Sequence, residues 1–253
     1  MSLNRHPQPL LRQLWALMLI ELTNWRWTWR TMIVLGMLTP LGGIVVLKML
    51  MRDATHGELA YILAGNTVLS VIFENQHRVA GHIVFMRGHG TLDYFSSLPV
   101  RKSTLLLAII AAFLLLSLPA FLVTVAAGAV VLGLPLHPSP LLVLVLPIVA
   151  LPMAGVGALI GVLARSGPEA NSLGILATFA MAGLGAVILP PDRVPDWLEQ
   201  LGRLSPATYA SAALRQVIIG PVTSSLIWHL CALLAIAAVV FWVAGRKLDW
   251  RQA

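Results

Sequence analysis

Asn66, Ser70 and Glu74 recur every four residues inside an apolar run, so they share one helical face, with Leu63 above and His77 below. Polar groups held in hydrocarbon are costly, and a stripe of them points into a bundle, a water-filled path or a symmetry mate. Two kinds of chemistry fit. The stripe can line a pathway or a dimer seam, or it can hold helices together by interhelical hydrogen bonds, a role that suits Ser70 taken alone. Thr178, with Asn171 and Ser172, is a weaker group of the same kind.

Other sets that could do chemistry fail on spacing. His77, His82 and His89 stand five and seven residues apart, which matches no i, i+4 ligand pair, and no cysteine or paired carboxylate joins them. They read as interfacial histidines at headgroup depth. No glycine-rich loop ends in Gly-Lys-Ser or Gly-Lys-Thr, so nucleotide phosphates cannot be held in the P-loop manner. There is no His-Glu-x-x-His helix and no Gly-x-Ser-x-Gly elbow. Cys231 is the single cysteine, which excludes an intrachain disulfide, and its apolar surroundings suggest a buried small hydrophobe.

A second constellation runs from Arg87 to Lys102, a polar, glycine-punctuated segment between two long apolar runs. Thr91 can serve as an N-cap, Leu92, Phe95 and Leu98 fall at steps of three on one helical face, and Pro99 stops the turn. The pattern predicts a short amphipathic helix at about 87–100, its apolar face on the bundle and Asp93, Ser96 and Ser97 presented outward.

The elements that position these groups follow from composition. With 58% hydrophobic and 11% charged residues, the chain is a polytopic membrane protein, and its formal charge of +7 sets topology and gives no reason to expect nucleic acid as a partner. Residues 10–30 place Leu11, Leu14, Trp15, Met18, Leu22, Trp25 and Trp29 at helical steps with Arg12, Arg26 and Arg30 between them, an amphipathic helix lying in the lipid interface. Pro7 and Pro9 break the start, and no small-residue cleavage site of a signal peptide follows. Apolar runs long enough for about 30 Å of hydrocarbon lie near 32–50, 59–75, 104–131, 141–164, 172–189 and 223–244. Pro40, Pro119, Pro147 and Pro152 fall inside them as expected kinks.

With both termini inside, twelve basic residues (Arg5, Arg12, Arg26, Arg30, Arg78, Arg87, Arg101, Lys102, Arg165, Arg246, Lys247 and Arg251) are cytoplasmic. Five (Lys48, Arg52, Arg193, Arg203 and Arg215) are outside, an asymmetry that favours this orientation. Between the last two runs, residues 190–222 read as an outer helical hairpin that can dip back into the membrane, broken at Ser205-Pro206 and closed at Gly220-Pro221. Gly157 and Gly161, one turn apart, mark a close-packing face. The expected architecture is an all-α membrane protein. It comprises an interfacial segment 1–31 and a six-span domain 32–253.

Together these features resemble the membrane subunit of ATP-binding-cassette exporters of the second, drug-and-polysaccharide type. The residues that carry the resemblance are Arg87, Gly90-Thr91-Leu92-Asp93, and Ser97-Leu98-Pro99-Val100 with Arg101. They are similar to that family's Glu-Arg-x-x-Gly-Thr-Leu-Glu…Pro-hydrophobic-x-Arg segment, with Asp93 in place of its glutamate and Gly88-His89 in place of charged residues. The outer Pro-x-Trp-Leu…Ser-Pro-x-x-Tyr…Leu-Arg segment from Pro195 to Arg215 is also similar.

The resemblance implies a dimer of two such chains. Each recruits a separately encoded ATPase that carries the ATP and magnesium, and this chain binds no cofactor of its own. It implies a coupling helix formed by Arg87, Gly90, Thr91, Leu92, Asp93, Phe95, Ser96, Ser97, Pro99 and Arg101. It also implies a path between spans two and five, in which Asn66, Ser70, Glu74 and Thr178 fall. The expected setting is the plasma membrane of a bacterium or archaeon. The expected cargo is an amphipathic small molecule such as a drug or antibiotic, because the path is short on charge and rich in apolar and small residues. Export of a lipid-linked glycan is the alternative within the family, and a non-transporting assembly or signalling subunit is the alternative outside it.

Overall fold

The computed structural model describes residues 9–25, 29–50, 54–184, 187 and 195–247. Arg5, Arg26, Arg52 and Arg251 of the charge pattern, and residues 190–194 of the expected hairpin, lie outside them. Among the described residues every regular element is helical. The order is α1 (Leu10–Asn24), α2 (Trp29–Leu50), α3 (His56–Val71), a π-helical segment (Ile72–His77), α4 (Arg78–Gly88), α5 (Thr91–Ser97), α6 (Lys102–Leu132), α7 (Leu142–Leu163), α8 (Gly167–Leu184), α9 (Asp196–Gly202), α10 (Pro206–Ile218) and α11 (Ser225–Lys247).

Among the described residues three of these, α6, α7 and α11, are long and apolar enough to cross a membrane, and Gly36–Leu50 of α2 is also apolar. Pro40, Pro119, Pro147 and Pro152 all lie inside helices.

A capping box starts the central element. The Thr55 hydroxyl accepts from the Glu58 N–H while the Glu58 carboxylate accepts from the Thr55 N–H, so two otherwise orphaned donors are satisfied reciprocally. From there α3, the π segment and α4 follow without a break, 16, 6 and 11 residues. That is a rod of roughly 50 Å at about 1.5 Å per residue. It carries half of the buried polar side chains among the described residues, and α7 flanks it. Gly157 and Gly161 behave as their spacing predicts: a Cβ on Gly157 would collide with the Gln76 carbonyl, and one on Gly161 would lie 2.9 Å from the Ala80 carbonyl.

Two apolar clusters pack the ends of the rod. At the α4 end, Leu17 and Met18 of α1 meet Val79, Ile83 and Met86 of α4, Leu92 and Phe95 of α5, and Ile109 and Phe113 of α6. At the α3 end, α10 sits inside the bundle, with Ala207, Ala210, Leu214 and Val217 against Val149 and Met153 of α7 and Val68 of α3. The Arg215 guanidinium lies 3.8 Å above the Tyr61 ring. Ser205 caps α10 by accepting from the Ala207 N–H and donates to the Met181 carbonyl, so the predicted break at Ser205-Pro206 is also a tie to α8. Trp197 and Leu201 of α9, and Leu204 just after it, are exposed.

Cys231 differs from expectation, being exposed on α11. That helix buries the stripe Leu226, Leu233, Ala237 and Ala244, and Cys231 lies off it. On a helix facing lipid, an outward thiol carries no penalty.

Candidate functional site

The polar stripe faces α2. Asn66, Ser70 and Glu74 are each buried. The Asn66 amide donates to the Ile62 carbonyl at 2.9 Å, and Ser70 donates a long bond of 3.5 Å to the Gly36 carbonyl. Glu74 pairs with Arg78 one turn on, at 2.7 Å. Two glycines of α2 make room for the stripe. A Cβ on Gly43 would lie 2.6 Å from Asn66 Oδ1, and one on Gly36 would overlap the Glu74 carboxylate. In this arrangement α2 closes over the stripe.

Past Ser70 the helix widens into the π segment, which brings Asn75, Gln76 and His77 round the rod to partners on α6 and α8. π turns are rare and recur at functional sites, because the inserted residue re-aims the side chains after it. Asn75 donates to the Val71 carbonyl at 3.0 Å and reaches Ser117 of α6 at 3.5 Å. Gln76 donates to the Gly174 carbonyl at 2.9 Å and to the Thr178 hydroxyl at 3.3 Å. His77 Nε2 lies 3.0 Å from the same hydroxyl. Thr178 in turn donates its single hydrogen to the Gly174 carbonyl at 2.9 Å, so it accepts from both Gln76 and His77, which assigns His77 the Nε2–H tautomer.

Three acceptors of this seam, Glu74 Oε2, Asn75 Oδ1 and Gln76 Oε1, have no hydrogen-bond partner among the described residues. Buried acceptors left unmatched are uncommon in native proteins, and here they fall on consecutive residues.

The three histidines go to separate partners: His77 to Thr178, His82 to Glu21, and His89 to the Phe85 carbonyl and ring.

At the far end of α4, Arg87 holds the C-terminus of α7. Its guanidinium donates to the carbonyls of Gly161 at 2.6 Å, Val162 at 3.0 Å and Ala164 at 2.7 Å, which have no helical partner of their own. Gly90, in the left-handed region at φ 68°, then turns the chain into α5. Gly90, and not Thr91, occupies the N-cap position, so Thr91 is the first helical residue.

Leu92 and Phe95 are buried against α1, α4 and α6 as their spacing predicts, while Leu98 stays at the margin. Ser96 and Ser97 return their hydroxyls to the carbonyls of Asp93 and Tyr94, at 2.6 and 2.7 Å. The outward groups are therefore Asp93 and Tyr94. Tyr94 lies off the apolar face, and that position is the sequence signal for its exposure. Pro99 and Arg101 are exposed beyond the helix, with the Pro99 carbonyl accepting from Gln13 of α1 at 3.4 Å.

Apolar helices long enough to cross a bilayer, wrapped on a rod whose polar groups are buried, define a helical membrane protein. Residues 55–246 match the model of the family described as ABC-2 family transporter protein, and the chain belongs to that family. It is thus a membrane transport subunit of a kind that works with an ATP-binding-cassette ATPase and normally carries no ATPase site itself. No curated protein matches the chain.

Proposed function

We propose that this chain is the six-span permease of an exporter, driven by ATP and magnesium on a separate ATPase, and that α5 is the lever that couples the two. It works as a pair with a second copy of itself in the plasma membrane of a bacterium or archaeon, with both termini cytoplasmic. Residues 1–31 form the interfacial segment, 32–253 the six-span domain, and residues 190–222 the outer hairpin.

One observation carries the reading. α5 is rooted by Leu92 and Phe95, exposes Asp93 and Tyr94, and follows directly on a helix end that Arg87 ties to α7. A push on α5 is therefore delivered to α4 and α7 together, the bistable kind of contact that conformational switches use. Thr91 and Gly90 set its start, and Ser96, Ser97, Pro99 and Arg101 shape its exit into α6. At the other end of the lever, Asn66, Ser70, Glu74 and Thr178 line the path for cargo, which opens when α2 and α8 part from the rod. The unmatched acceptors on Glu74, Asn75 and Gln76 support this: they gain partners once water or cargo enters. The cargo is an amphipathic small molecule, because the surroundings of the seam are largely apolar.

The test is cargo-stimulated ATPase activity of the reconstituted complex. Leu92→Asp and Asp93→Lys leave the permease in the membrane and abolish stimulation. Unchanged coupling in both variants refutes the lever.

A further inference from the structure

Away from the seam, α1, α4 and α5 line a half-open cavity of about 770 Å³, within the usual range of small-molecule sites. Trp25, Phe85, Tyr94 and Phe95 line it together with Glu21, whose Oε2 lies 2.9 Å from Nε2 of His82, also in the lining. Trp25, His82 and Phe113 form a ring cluster behind the pair, with centroids 5.5 to 5.9 Å apart. Glu21 is 2% exposed. It sits on a helix whose other buried residues are Leu17 and Met18, and its partner across the bundle is His82 of α4.

From this geometry we infer that the cavity is a binding site for a lipophilic monocation, an ammonium or phosphonium carried on an aromatic or branched apolar body. The carboxylate supplies the counter-charge. Ring faces supply cation–π attraction, which strengthens where water is excluded. Among the described residues no lysine or arginine lines the cavity, although the chain as a whole carries a formal charge of +7. An anion is disfavoured by the same carboxylate. A neutral acyl chain would bring no partner to the Glu21 carboxylate beyond His82, whereas a cation adds an opposite charge. Thr91, Tyr94 and Phe95 belong to α5, so an occupant touches the short helix directly, at a place separate from the Asn66–Glu74 stripe.

The test uses the full permease in lipid nanodiscs without its ATPase, so failure here is distinguishable from failure of the coupling reading. Equilibrium binding of tetraphenylphosphonium, and of tetraphenylborate as a probe of the same shape and opposite charge, is measured against empty discs. Saturable binding of the cation alone is expected, weakened about tenfold or more in Glu21→Gln and retained in part by Glu21→Asp.

Gly81→Leu gives a second, independent variant. A Cβ at this cavity-lining residue meets nothing within 4 Å, so a larger side chain has room to start there, and loss of the cation's binding is expected. Equal binding of both probes would show an apolar cavity only and overturn the proposal. So would absence of saturable cation binding, or cation binding unaffected by either variant.

Discussion

Replacing Arg87 by Met removes three hydrogen bonds from one guanidinium to the carbonyls of Gly161, Val162 and Ala164, at 2.6 to 3.0 Å. Bonds of this charge-assisted kind contribute roughly 1.5–3 kcal/mol each. The three share one desolvation and one ordered side chain, and water can reach part of the helix end, so the total falls well short of their sum. The cation also complements the negative end of the α7 dipole, worth about 0.3–1 kcal/mol. Arg87→Met should therefore cost about 2–4 kcal/mol. Arg87→Lys keeps the charge but lacks the planar fork that reaches three carbonyls, and should recover only about half of that. Reversible unfolding in mixed micelles, followed by tryptophan fluorescence, reads both values. A loss under about 0.5 kcal/mol for Arg87→Met, within the usual range of surface substitutions, would refute the clasp. Full recovery by Arg87→Lys would refute its fork geometry.

Gly157→Leu places a side chain against the Gln76 carbonyl, a backbone atom that cannot rotate away. Overpacking of this kind costs about 1–3 kcal/mol or more, and the variant should show reduced monodisperse yield in gel filtration, whereas Gly183→Leu, with open space around it, should not. Gln76→Leu and Thr178→Val each remove one partner of the same bond, so together they should destabilise by less than the sum of the single changes, with a coupling of about 0.5–1.5 kcal/mol in a double-mutant cycle. Strict additivity would mean that the Gln76–Thr178 bond carries no energy.

Local pattern made some of this legible. The Leu92 and Phe95 spacing found the buried face of α5, the Gly157 and Gly161 spacing found the contact with the rod, and Ser205-Pro206 found the start of α10. Each of these is decided by residues within a turn or two of one another. Contacts between distant parts of the chain were not legible. Glu21 meets His82, and Arg87 meets the end of α7, only because the bundle brings them together, and no periodicity records that.

The π segment was hidden for another reason. Ile72 to His77 keeps an ordinary helical composition, so the change in period that turns Gln76 and His77 toward Thr178 leaves no mark in the sequence. Asn66, Ser70 and Glu74 share a face by spacing, but the glycines of α2 that close over them, Gly36 and Gly43, become meaningful only against the packed rod.

The most direct test is to locate the ATPase on the permease. In a Cys231→Ser background, single cysteines at Asp93 and Tyr94 on the exposed face of α5, and at Thr223 beside α10 at the opposite end of the rod, are labelled with a benzophenone maleimide. The complex co-purified with its ATPase is then irradiated. Capture of the ATPase from Asp93 and Tyr94, and none from Thr223, is the expected result. Capture from Thr223 with none from α5 would contradict the assignment of α5 as the coupling helix.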